Sequence, residues 1–155
     1  MIRRTLTLFV FSSALAACNS SEPAKPIKDY MAQDVQPTAE VYWNAVQFIS
    51  DESGDHEITP QTDAEWEDVR LAAVRLGEIG KELKQPGYSD ARGPGWNDFA
   101  DGLIEISGKA EEAAKAKDPE KVFEVGGTLY SVCSGCHEAY PAEQPEAAND
   151  ASIAS

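Results

Sequence analysis

The chain has 155 residues, a length that suits one domain. It carries 27 acidic against 13 basic side chains, a formal net charge of −14, which argues against a nucleic-acid partner because a polyanion is repelled. A protein with a basic face is the better match. Only three cysteines occur, Cys18, Cys133 and Cys136, too few for a disulfide scaffold.

The N-terminus reads as an export signal. Arg3 and Arg4 supply its positive end, and Leu6 to Leu15 its short apolar stretch. Leu15-Ala16-Ala17-Cys18 looks like the lipobox of bacterial lipoproteins. That likeness implies removal of residues 1–17 and lipid on Cys18; an ordinary signal cut nearby is the alternative. Losing residues 1–17 removes two arginines and no acids, so 11 basic and 27 acidic side chains remain, net −16. Acyl chains on Cys18 would hold the chain to a membrane surface facing the periplasm. Asn19 after the cysteine favours the outer membrane in lipoprotein sorting. No later apolar run approaches the roughly 18 residues that span a bilayer. Residues 18–26, with Pro23 and Pro26 and no hydrophobic period, read as a lipidated tether.

Four helical stretches follow. In the first, Ile27, Met31, Val35, Thr38, Tyr42, Ala45 and Ile49 recur at spacings of three and four. Trp43 and Phe48 widen the apolar surface. Pro37 breaks the pattern by removing an N–H donor. Either the helix kinks there, or it begins at Pro37 and Met31 sits on a preceding turn. Ser50 to Gln61 reads as an acidic loop in which His56 is solvated, and its carboxylates lack the spacing of a calcium loop.

Thr62 and Glu65 form a capping box that opens the second helix. Its stripe is Trp66, Val69, Ala73, Leu76, Gly80 and Leu83, and Gln85-Pro86-Gly87 ends it. Tyr88 to Gly95 reads as a loop. The third helix shows Trp96, Phe99, Leu103, Ile106, Ala110 and Ala113, then an alanine and lysine run with little expectation of deep packing. Asp118-Pro119 opens the fourth, an acid cap followed by proline at the first helical position. There Val122, Val125, Leu129 and Val132 continue the seam. Gly126, Tyr130, Cys133, His137 and Tyr140 form a second stripe beside it. Gly126 and Gly127 leave room for a flat ligand or another helix. Pro141 stops the helix, and residues 142–155 read as a disordered polar tail. No two-residue alternation suggests strands, so the fold expected over residues 27–141 is all-α, an antiparallel four-helix bundle.

Cys133-Ser134-Gly135-Cys136-His137 has the spacing of a c-type haem attachment site. Each thiol can add across one vinyl group of the porphyrin, and the adjacent imidazole can reach the iron. On a helix the three side chains share a face. A redox dithiol, or half of a zinc site, is the competing reading of Cys-x-x-Cys. No second ligand pair is evident for zinc, and a thioredoxin-like dithiol would need strands and an earlier position in the chain.

An exported four-helix bundle with this motif near the end of its last helix resembles the class II cytochromes c, the cytochrome c′ family. The similarity spans roughly Ile27 to Tyr140, and Tyr140 matches an aromatic often seen there. It implies one covalent haem c on Cys133 and Cys136, His137 as proximal iron ligand, electron transfer to a redox partner rather than enzymatic turnover, and allows a dimer. Family members with a methionine from the first helix are six-coordinate; members with an apolar residue there are five-coordinate and bind nitric oxide or carbon monoxide. Met31, the single methionine left after residues 1–17 are removed, is the distal candidate. The basic residue often found soon after the motif is missing, since Pro141 follows Tyr140. A haem-free thiol-disulfide oxidoreductase using Cys133, and a structural lipoprotein with a degenerate motif, are the alternatives from other classes.

Overall fold

A computed structural model describes residues 25–90 and 92–142. The segment read as an export signal, Cys18, most of the stretch read as a tether and the tail from residue 143 lie outside the described residues. The described chain is mostly helical, with four helices and one small antiparallel sheet.

The first helix, α1, continues past Pro37 instead of starting there. It runs through Ile27–Tyr30, winds as π-helix over Met31–Val35, and returns to α geometry over Gln36–Trp43. The proline ring would strike the carbonyl of Gln33 in a regular α-helix. One extra residue in the preceding turn relieves that conflict, and the Gln36 amide accordingly donates to the Met31 carbonyl five residues back. The Thr38 hydroxyl donates to the Asp34 carbonyl at 2.6 Å.

The expectation of helix through Ile49, then loop, is corrected by a β-hairpin. Strand β1, Gln47–Asp51, pairs with β2, Gly54–Ile58, around the two-residue turn Glu52-Ser53. Gly54 takes φ 118, which glycine tolerates without a Cβ penalty. The Ser53 amide and hydroxyl both donate to Asp51 Oδ1, at 2.8 and 2.5 Å. All of β2 is exposed, so no hydrophobic period marks it in the sequence. His56 pairs with Asp51 at 2.9 Å and is solvated, as its setting suggested.

Helix α2, Asp63–Leu83, opens with both halves of the Thr62–Glu65 capping box. Helix α3, Pro94–Ala116, begins at Pro94, inside the segment read as loop. Helix α4, Pro119–Ala139, is capped by Asp118, whose side chain accepts from the Lys121 amide at 3.1 Å. Each helix packs on the next, and α1 also touches α4.

Leu76, Ile79, Val122 and Leu129 are fully buried between these helices. The alanine and lysine run that ends α3 is a second correction: Ala114 within it is buried, as are Ala110 and Ala113 of the stripe. Small side chains let neighbours come close, and the Tyr42 hydroxyl of α1 reaches the Ala110 carbonyl. Gly80 serves the same end, since a Cβ there would stand 2.7 Å from Ile104 Cγ1 and 3.0 Å from the Ala100 carbonyl oxygen.

Candidate functional site

A cavity of about 500 Å³ opens between α1, α3 and α4, within the range of small-molecule and cofactor sites. Its lining is mostly apolar. Met31, Val35, Ala39 and Trp43 come from α1; Trp96, Phe99 and Leu103 from α3; Tyr130, Cys133, Cys136 and His137 from α4. The four residues singled out in the sequence outside the N-terminus, Cys133, Cys136, His137 and Met31, therefore meet at one place.

On α4 the three motif side chains fall at i, i+3 and i+4, on one face of an unbroken helix. Both cysteines are half-buried free thiols, and His137 is exposed while lining the cavity. Burial pushes the Cys133 thiol up to about 11, with the neighbouring Cys136 adding to the shift. Burial raises Cys136 as well. A thiol raised in this way holds little of the thiolate that exchange chemistry requires. Among the described residues no three or more His, Cys, Asp or Glu side chains are grouped to hold a bare metal ion.

Compared with known proteins, the chain matches no family model, no curated protein and no solved structure.

The walls are fixed by aromatic contacts. Gly135, inside the motif, lies against Phe99; a Cβ there would be 3.2 Å from Phe99 Cε1. Tyr140 meets Trp96 edge-on at 5.2 Å and Phe99 at 6.2 Å, and its hydroxyl donates to the Arg92 carbonyl at 3.1 Å. The Trp96 indole donates to the Leu83 carbonyl at 2.7 Å, and the Arg92 guanidinium lies 4.6 Å above the Trp96 ring. On the α1 side, Trp43 Nε1 donates to the Gly126 carbonyl at 3.1 Å. Gly126 lies beside the α1 aromatics, where a Cβ would sit in ordinary contact, 3.5 Å from Trp43 and 3.7 Å from Tyr42.

Sequence reasoning assigned Trp96 and Phe99 to the core stripe of α3 and did not place them at the site. Their stripe gave no sign of a second role. Gly135 was the available signal, because a glycine within a helical motif leaves space that a neighbouring aromatic can fill.

Proposed function

We propose that this chain is an exported, lipid-anchored monohaem c-type cytochrome of the class II kind, carrying single electrons at the periplasmic face of the bacterial envelope. The observation that carries the reading is the convergence of two free thiols, one imidazole and one thioether on a single apolar cavity. Cys133 and Cys136 would form the two thioether bonds, and His137 would bind the iron from the α4 side. Met31 would meet it from α1. When bound, haem supplies an iron that gains and loses one electron.

The remaining residues set its surroundings. Val35, Ala39, Phe99 and Leu103 would cover the bound group with apolar side chains, which lowers the local dielectric. Keeping the same two ligands in both oxidation states leaves little to rearrange during transfer, and no substrate turnover is required. The excess of acidic side chains suits a redox partner with a basic docking face. The raised Cys133 thiol weighs against a thiol-disulfide oxidoreductase.

A second reading keeps the fold and the haem but leaves the distal position open for nitric oxide or carbon monoxide. One observation favours it: Met31 packs against the hydrophobic core, as a purely space-filling methionine does. A haem stain after denaturing electrophoresis tests the cytochrome reading itself, because only covalently held haem stays with the chain. A colourless band from protein matured in a c-type cytochrome-producing host contradicts it.

A further inference from the structure

Met31, Val35, Ala39 and Trp43 all line the cavity, each four residues after the last. A regular α-helix turns about 100° per residue, so each step of four overshoots a full turn by about 40°. Over three steps the drift reaches about 120°, enough to carry the first side chain off the face that holds the last. The helix avoids most of this drift because the turn that starts at Met31 is wide. Met31–Val35 is π-helical and spends one extra residue, with Gln36 N–H bonding the Met31 carbonyl.

The wide turn also serves the opposite face. Tyr30 at its start is 5% exposed and Tyr42 beyond it 1%. Tyr30 stacks on Tyr88 with ring centroids 5.1 Å apart, and its hydroxyl donates to Glu82. Both ends of α1 are therefore in phase with the core and the cavity together.

We propose that Pro37 is a positioning residue: by forbidding regular α geometry at Gln33, it holds the wide turn that aims Met31 into the cavity. This rests on Met31 being the distal ligand. Pro37 itself is exposed and does not line the cavity. Its action is through the backbone, where its ring and missing N–H exclude the α spacing. Without the proline the turn is free to close, which rotates Met31 by about 100° relative to Ala39 and Trp43.

The experiment compares three haem-loaded proteins with wild type by the charge-transfer band of methionine-bound ferric haem and by carbon monoxide uptake of the ferrous form. Pro37→Ala is expected to lose that band in most molecules and to take up carbon monoxide readily, while keeping covalent haem and helical circular dichroism. Removing Gln33 from the Pro37→Ala protein takes out the extra residue and leaves a regular helix with both ends in their original phase. That protein is expected to regain the band. A Pro37→Ala protein that keeps the band overturns the proposal, and so does a failure of the Gln33 deletion to restore it. Met31→Ala separates the two levels: if it leaves an already high-spin wild-type spectrum unchanged, the ligand assignment itself falls, and the role of Pro37 with it.

Discussion

Met31 on α1 and His137 on α4 stand 106 positions apart in the chain and line the same cavity. Neither belongs to the fully buried core: Met31 is half-buried and His137 exposed. A thioether and an imidazole facing one apolar space would suit, as a ligand pair, the low-spin haem with a raised potential proposed above. Met31→Ala is therefore expected to convert low-spin haem to high-spin and to lower the reduction potential. Spectroelectrochemical titration of the two proteins checks both effects together. Identical spectra and potentials would leave Met31 as core and bring the gas-binding reading forward.

A second expectation concerns acid stability. Arg75 bonds Glu82 at 2.5 Å and, with the Tyr30 hydroxyl, holds its carboxyl below the usual carboxylate range. A carboxylate depressed in the folded state stabilises it at pH values above its unfolded pKa. That contribution disappears as pH falls through the folded value. Glu82→Gln is thus expected to lower the melting temperature at pH 7, and the gap from wild type should close below about pH 4. A gap that stays constant down to pH 3 assigns the loss to packing instead of charge.

Helix contact gives a paired expectation. Gly80→Ala places a methyl 2.7 Å from Ile104 Cγ1 and 3.0 Å from a backbone oxygen. Ile104 is β-branched and yields little. Overpacking is expected to cost about 1–3 kcal/mol, more than the helix propensity gained. Gly108, also in α3, has nothing within 4 Å of the place a methyl would occupy. The sign there is opposite, and Gly108→Ala is expected to gain about 0.5–1 kcal/mol. Urea midpoints of the haem-loaded proteins at unchanged slope report both.

The proposed lipid anchor rests on Cys18. Wild type is expected in the membrane fraction, and Cys18→Ser either in the soluble fraction or as unprocessed precursor. Equal membrane association of the two would remove the lipid anchor from the account.

Helical periodicity predicted the four helices because each has one buried face, and two of them, α2 and α4, also carry a clear start signal. The Thr62–Glu65 box and the Asp118-Pro119 pair form as expected from residue type alone. The hairpin was not legible: it lies on the surface, where Phe48 meets Phe123 edge-on at 5.1 Å, and strands without a buried face carry no alternation. The wide turn ahead of Pro37 was hidden for another reason. A one-residue widening leaves no mark on composition, and only the conflict between proline and the long stripe pointed to it. At the site, the motif could be read from its spacing, and Met31 from being the one methionine on the stripe of the first helix. The aromatic walls could not, because Trp96 and Phe99 satisfy a core pattern equally well.

The central claim is that Cys133 and Cys136 hold a haem covalently, and the intact mass of the denatured mature protein tests it most directly. The account predicts a mass greater than that of the processed, lipidated chain by one haem, with the added mass on the peptide containing Cys133 to His137. The Cys133→Ala, Cys136→Ala protein should lack that increment. An unmodified motif peptide from wild type matured alongside a control c-type cytochrome that does acquire haem would contradict the account.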